Sequence, residues 1–231
     1  MATNQKFTTR ENETRRILSR SPHISLDDCE AYLDQQWLEK RKDIKEQIPD
    51  MYKNSSFSDF DERLVERVVT AIYDILSLPN ENKTDKMGLI LHGPVGSGKT
   101  RMAYAIINYI IEIDPEMSSL LENYAGLIKK IKKEMFSTKD SDFSIWDVVS
   151  NESKQYSGFL LLDDLSTKNT TNFESDTFLQ LLDARINNYH PTIITTNLDK
   201  NELEEVLGSR IASRLIGNFH FIEIGGTDNR V

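Results

Sequence analysis

The sequence predicts a three-layered α/β fold: a parallel β-sheet flanked by helices, with a short helical appendage ahead of it. Three observations carry this. Short apolar runs at Gly88–His92, Phe159–Leu162 and Thr192–Thr196 alternate with amphipathic helical stretches. A glycine-rich loop stands between the first of these runs and the helix after it. All ten glycines lie at Gly88 or beyond, so the glycine-free first fifty residues read as helix.

In chain order, mixed charge over residues 1–22 ends at the break Ser21-Pro22. Ser25-Leu26-Asp27-Asp28 can cap a helix whose apolar positions Leu26, Leu33, Trp37, Ile44 and Ile48 step by seven and four along one face. Pro49 stops it. Residues 1–47 hold nine basic and nine acidic side chains, so this appendage is neutral. Residues 48–60 form a linker with aromatic anchors, followed by an amphipathic helix bearing Leu64, Val68, Ile72, Ile75 and Leu76, closed by Pro79-Asn80. The first strand leads to a helix over 100–113. Ser119-Leu120-Leu121 is a short strand, and residues 122–136 and 142–156 read as helices. The continuous apolar run Phe159–Leu162 is a strand buried on both faces. A helix over 173–189, the strand Thr192–Thr196, two short helices over about 200–216 and a last strand from Phe219 to Ile224 complete the pattern. The expected division is a helical partner-binding segment, 1–47, and a nucleotide-binding domain, 48–231.

Composition narrows the function. At 231 residues the chain can bury roughly 70% of its unfolded surface and needs no staple. The net charge of −9 argues against a protein that coats nucleic acid over its whole surface, though not against a local basic groove. No apolar run is long enough to span a membrane, and MATNQKFTTRENETRR has no signal core. One cysteine, Cys29, and four scattered histidines give no zinc-ligand spacing.

Gly93-Pro94-Val95-Gly96-Ser97-Gly98-Lys99-Thr100 matches the phosphate-binding pattern G-x-x-x-x-G-K-[ST], which chance places in on the order of one chain in a hundred of this size. Its glycines let backbone N–H groups face the phosphates, and the helix starting near Lys99 adds its positive end. Lys99 is expected on the β- and γ-phosphates of ATP and Thr100 on Mg²⁺; Arg101 completes the nucleotide-binding set. Asp163 and Asp164 end a buried strand at the ligand-bearing edge of the sheet, where a carboxylate pair is costly unless it meets a cation or a polar site. Asp163 would hold Mg²⁺ beside Thr100 and Asp164 would polarise the attacking water. Asn197, closing the strand Thr192–Thr196, can orient water against the γ-phosphate. Arg210 and Arg214, four apart, share one helix face, with Ile211 and Leu215 turned inward.

In this order and at these spacings, the four elements resemble the AAA-type P-loop ATPases. Within them they resemble the DnaC/DnaI-like helicase loaders and their IstB-like relatives. Ile48-Pro49 with Phe57 to Phe60 is similar to the segment leading into the loaders' ATPase domain. Asp163-Asp164-Leu165 follows their Walker B ending, and Gly225-Gly226-Thr227-Asp228-Asn229-Arg230 resembles their terminal glycine-to-arginine motif. The resemblance covers roughly residues 48–231. It implies that Asn197 is sensor I, that Arg214 is an arginine finger acting across a subunit interface supported by Arg210, and that Arg230 is a sensor II-like arginine. It also implies that the helix near 122–136 is the extra helix of initiators and loaders, which lines a single-stranded DNA path. Lys129, Lys130, Lys132 and Lys133 are the densest basic cluster of the chain and would be its DNA contacts. The family's amino-terminal region grips a hexameric DnaB-like replicative helicase, which assigns that task here to residues 23–47 with Leu33 and Trp37 as anchors, unless that stripe packs on the chain's own ATPase domain. The cysteine-rich zinc module of some loaders is missing.

The resulting expectation is an ATPase that self-associates on ATP and loads a helicase onto single-stranded DNA. Its place is the cytoplasm of a bacterial cell, from a chromosomal, plasmid or phage gene. The alternative is an IstB-like transposition helper. A small-molecule kinase is disfavoured because residues 114–157 contain no arginine to clamp a phosphate in a lid. A binding-only module is disfavoured by the intact Lys99, Thr100, Asp163 and Asp164.

Overall fold

The computed structural model describes residues 9–20, 23, 25–76, 86–113, 119–135, 158–165 and 171–225. The expected helix over 142–156, the closure at Pro79-Asn80 and the terminal motif with Arg230 lie outside these residues.

Two helices open the chain, α1 (Thr9–Arg20) and α2 (Leu26–Gln47). The Ser25 hydroxyl caps α2 by accepting from the Asp28 amide, and Asp27 and Asp28 complement the positive end of the helix. Pro49 forces Ile48 into an extended conformation, and α2 stops. Two 3₁₀ turns, Asp50–Tyr52 and Phe57–Asp59, carry the aromatic anchors: Tyr52 stacks on Tyr104 at 4.8 Å and Phe57 tilts over Tyr109 at 5.2 Å. Then come α3 (Glu62–Leu76), β1 (Gly88–His92), α4 (Lys99–Ile113), β2 (Ser119–Asn123) and α5 (Tyr124–Met135). The chain continues through β3 (Phe159–Leu165), α6 (Asn172–Asn187), β4 (Thr192–Thr196), α7 (Lys200–Leu207), α8 (Ser209–Asn218) and β5 (Phe219–Glu223).

The five strands form one parallel sheet in the order β2-β3-β4-β1-β5. Alternation along each strand divides the core in two. Leu89, Leu91, Phe159, Leu161, Ile193 and Ile222 face α3, α4 and the end of α2. Ile90, Leu160, Leu162, Leu165, Ile194 and Phe219 face α5, α6, α7 and α8. This is the AAA-type three-layer arrangement expected from the sequence.

One expectation needs correction. Leu33 and Trp37 are only 1% and 8% exposed, so neither is presented to a partner in this conformation. The first half of α2 packs with α1. Its second half docks on α4, where Arg41 donates to the carbonyls of Ile111 and Glu112, Lys45 pairs with Glu112, and Ile44 and Ile48 join the core. The apolar stripe is therefore spent within the chain, leaving Leu26, Tyr32 and Leu38 as the large exposed apolar side chains of α2. The helix expected over 122–136 is α5. It lies in the crossover from β2 to β3 and buries Tyr124, Leu127, Ile128 and Ile131 against the sheet and α6.

Candidate nucleotide-binding site

The site is built at the carboxyl ends of β1, β3 and β4, three adjacent central strands. The chain leaves β1 at His92 and turns at once through the glycine loop. Gly93 has φ +148°, and a Cβ there would stand 2.3 Å from the Ile224 carbonyl oxygen, because the chain leaving β5 crosses directly above it. Only glycine fits. Gly98, at φ +95°, makes the last left-handed step before α4 begins. The Lys99 ammonium is folded into the loop, donating to the carbonyls of Gly93 at 2.9 Å and Pro94 at 2.7 Å. The Ser97 hydroxyl is buried in the same loop with no partner among the described residues.

From the opposite strand, β3 brings Asp163 to the start of α4. The Thr100 hydroxyl donates to Asp163 Oδ1 at 2.9 Å, joining residues 63 apart in sequence. An alcohol and a carboxylate side by side are a hard, all-oxygen pair. That chemistry suits Mg²⁺, which takes one or two protein oxygens and completes its shell with phosphate and water. The orphaned Ser97 hydroxyl and the helix start at Lys99 suit a phosphate. The residues present therefore fit ATP with Mg²⁺.

The strand does not end at the carboxylates, as the sequence suggested; β3 runs one residue further, to Leu165. Leu162 pairs with Ile194 and Leu165 with Thr196, so three steps on β3 oppose two on β4, a β-bulge. Asp164 absorbs the extra residue with φ +57°, a left-handed conformation unusual outside glycine, and its side chain is exposed. Asn197 follows Thr196, which is paired with His92, so its exposed amide emerges beside the beginning of the glycine loop. Burial pulls the His92 imidazole below the usual histidine range.

The linker closes one flank. Phe60 lies 3.5 Å from where a Cβ on Gly98 would be, and Arg101 pairs with Asp59 at 3.0 Å. Arg101, expected on the nucleotide, is thus engaged by the linker. Pro94 and Val95 are exposed at the loop tip.

The remaining expected residues lie elsewhere. Arg214 is gripped by Asp183 on α6, with Nε at 2.7 Å and the second nitrogen at 3.3 Å from the carboxylate, which raises its pKa further. Arg210 is exposed one turn earlier, and Ile211 and Leu215 are buried as expected. The lysine cluster is split. Lys130 pairs with Glu122 at 2.5 Å, and Lys132 sits 5.5 Å over the Phe173 ring. Lys129 and Lys133 are exposed on one face of α5. Sequence reasoning missed Asp183 and Thr195. The hydroxyl-rich strand end Thr195-Thr196 was the available signal for the second; nothing local marked the first.

No protein-family model matches the chain. It is 27% identical over 174 residues to the replicative helicase loader DnaC of Buchnera aphidicola subsp. Baizongia pistaciae, a stretch covering 74% of this chain and 67% of that relative. It is 25% identical over 130 residues to the replicative helicase loader DnaC of Escherichia coli K12, covering 56% of this chain and 50% of the relative. The matches thus span between half and two thirds of these relatives' length. The crystal structure of the DnaC helicase loader aligns with a TM-score of 0.62 at 23% identity, over 77% of this chain and 100% of that one. The chain is related in sequence to the DnaC-like helicase loaders and has their AAA-type P-loop fold.

Proposed function

We propose that this chain is an ATP-driven loader of a hexameric replicative helicase, working in the cytoplasm of a bacterial cell and placing the helicase on single-stranded DNA. The observation that carries the nucleotide part is the meeting of Thr100 with Asp163 over a glycine loop that no other residue type could form at Gly93. The loading part is supported by the relatives, both replicative helicase loaders.

In this reading the glycine loop and the amino-terminal turn of α4 cradle the phosphates of ATP. Lys99, now donating to its own loop, turns to the β- and γ-phosphates. Thr100 and Asp163 would hold Mg²⁺, which would supply neutralising charge to the phosphates. Asp164, aimed outward by the bulge, accepts a proton from the attacking water, and Asn197 orients that water. Arg214 completes a neighbouring subunit's site. Its place on α8, over the second face of the sheet, supports action in trans, since α4 and Lys99 belong to the first face. Asp183 holds the guanidinium until the neighbour's γ-phosphate competes for it. Lys129 and Lys133 meet the DNA backbone. Residues 1–47 meet the helicase, through the exposed Leu26, Tyr32 and Leu38 rather than the buried Leu33 and Trp37.

The test is co-purification of the intact chain with purified hexameric replicative helicase, with and without Leu26→Ser, Tyr32→Ser and Leu38→Ser together. The account expects a complex that forms with the wild-type chain and is lost with the triple variant at unchanged thermal stability. No complex with the wild-type chain would overturn the loader reading while leaving the nucleotide site standing.

A further inference from the structure

We propose that Thr195 is a positioning residue that sets both acidic groups of the site through one hydroxyl; this rests on the nucleotide site proposed above. Thr195 stands on β4 directly opposite the β3 bulge and is 1% exposed. Its Oγ1 donates to Asp163 Oδ1 at 2.6 Å and accepts from the Asp164 backbone N–H at 2.8 Å. The two bonds do different work.

The first settles the orientation of the Asp163 carboxylate. Oδ1 accepts from Thr195 and from Thr100, at 2.6 and 2.9 Å. Two donors, one from β4 and one from the first turn of α4, fix the rotation of the group about its last bond, so that Oδ2 is held out for an outside partner. A carboxylate with a single donor would swing, and a cation would have to order it on binding.

The second bond holds the strained turn. A bulge leaves the extra residue outside the regular ladder, with its backbone groups to be satisfied some other way. Here the Thr195 side chain replaces a strand carbonyl as the acceptor for the Asp164 amide. A left-handed non-glycine residue is strained and persists only where its surroundings fix it. Thr195 is one such fixture, and the Asp164 side chain is aimed by it. The neighbouring Thr196 is used differently. Its hydroxyl donates to the Leu165 carbonyl at 2.6 Å and accepts from the Leu198 amide at 3.1 Å, closing the far side of the bulge without touching either acid.

The experiment compares Thr195→Val, which keeps the shape and deletes the hydroxyl, with Thr195→Ser, which keeps the hydroxyl. Thr195→Ala repeats the deletion with a smaller side chain, so the result does not hinge on how valine packs. Two readouts are taken on the full chain. Fluorescent ATP-analogue binding across a Mg²⁺ series gives the half-saturating Mg²⁺, and amide exchange reports the Asp164 N–H. Valine and alanine are expected to raise the half-saturating Mg²⁺ by about ten-fold, the scale of one hydrogen bond to a charged group, and to speed Asp164 exchange to a similar degree. Affinity measured in EDTA should stay within about two-fold, and serine should restore both readouts. Unchanged Mg²⁺ dependence in Val and Ala, or loss in Ser equal to that in Val, would overturn the inference and leave the nucleotide site intact. A wild-type chain that binds no nucleotide at any Mg²⁺ would overturn the site itself and the inference with it.

Discussion

Two cations are buried at opposite ends of the same sheet, and they are held in contrasting ways. Arg185, in the last turn of α6, sits under the amino ends of β3 and β4. Its guanidinium donates to Thr192 Oγ1 at 2.7 Å and to the carbonyls of Gly158 and Pro191 at 3.1 and 2.7 Å. Burial pulls its pKa down to about 9. Lys99, at the carboxyl end of β1, also donates to two carbonyls, but both belong to the loop that forms its own turn. Arg185 ties the end of α6 to the starts of two neighbouring strands, β3 and β4, and its planar fork matches acceptors fixed by that sheet. Lys99 is held locally, on a flexible stem, by acceptors it can exchange for a phosphate. One burial stabilises the fold; the other, in the proposed function, stores a charge for the phosphates of ATP.

The largest effect on stability is expected at the first. Arg185→Met removes the donors to Thr192, Gly158 and Pro191. The Pro191 carbonyl keeps the Leu160 amide and Thr192 Oγ1 still donates to the His190 carbonyl. Lost hydrogen bonds to a charged group cost about 1.5–3 kcal/mol each, partly offset by relief of the buried charge, so a net loss of about 3 kcal/mol is expected in denaturant unfolding. A loss under ~1 kcal/mol would mean that the sheet end tolerates open acceptors, and the contrast with Lys99 would collapse.

Arg214→Ala should leave ATP binding by the single chain unchanged and cut DNA-stimulated hydrolysis by about 10³, the lower range for arginine fingers. Mixing it with Lys99→Ala should restore part of the turnover, because each chain supplies the group the other lacks. Steady-state hydrolysis across mixing ratios checks this, and a flat response would assign Arg214 to its pair with Asp183 alone.

Asp164→Asn should keep ATP binding and slow single-turnover hydrolysis by about 10². Parallel loss of binding would make the exposed acid at the bulge a ligand-holding group like its neighbour Asp163.

The smallest effect concerns α5. With Lys130 held by Glu122 and Lys132 over Phe173, Lys129 and Lys133 remain as the two proposed contacts to DNA. Lys129→Gln with Lys133→Gln should lower the magnitude of the salt slope of single-strand affinity by about 1.4, at about 0.7 per contact. Anisotropy titrations on oligo-dT across a salt series measure it; an unchanged slope would make α5 only a sheet-packing helix with a solvated face.

The same contrast explains what was legible in the sequence. The glycine loop is contiguous, and its residue types are dictated by backbone geometry at Gly93 and Gly98, so the motif could be read directly. The strands were legible because burial on both faces leaves unbroken apolar runs. What escaped depends on partners far along the chain. The stripe of Leu33 and Trp37 has the same spacing whether it meets a partner or its own neighbours, and only the docking of α2 on α4 and α1 decides. The bulge at Asp164 arises from β4, some thirty residues on, and local alternation gives no hint of it. Arg185 and Asp183 lie two apart in one helix turn, and nothing in their spacing says that one is buried under the sheet while the other grips Arg214.

The most direct measurement is the melting temperature of the wild-type chain and of Lys99→Ala, each with and without saturating ATP and Mg²⁺. A ligand at a hundred times its dissociation constant stabilises the folded state by about 2.7 kcal/mol. The account predicts a rise of several degrees for the wild-type chain, none for Lys99→Ala, and equal melting temperatures for the two without ligand. An equal ligand-induced rise in both proteins, or a Lys99→Ala chain that melts well below the wild type before any ligand is added, would contradict it.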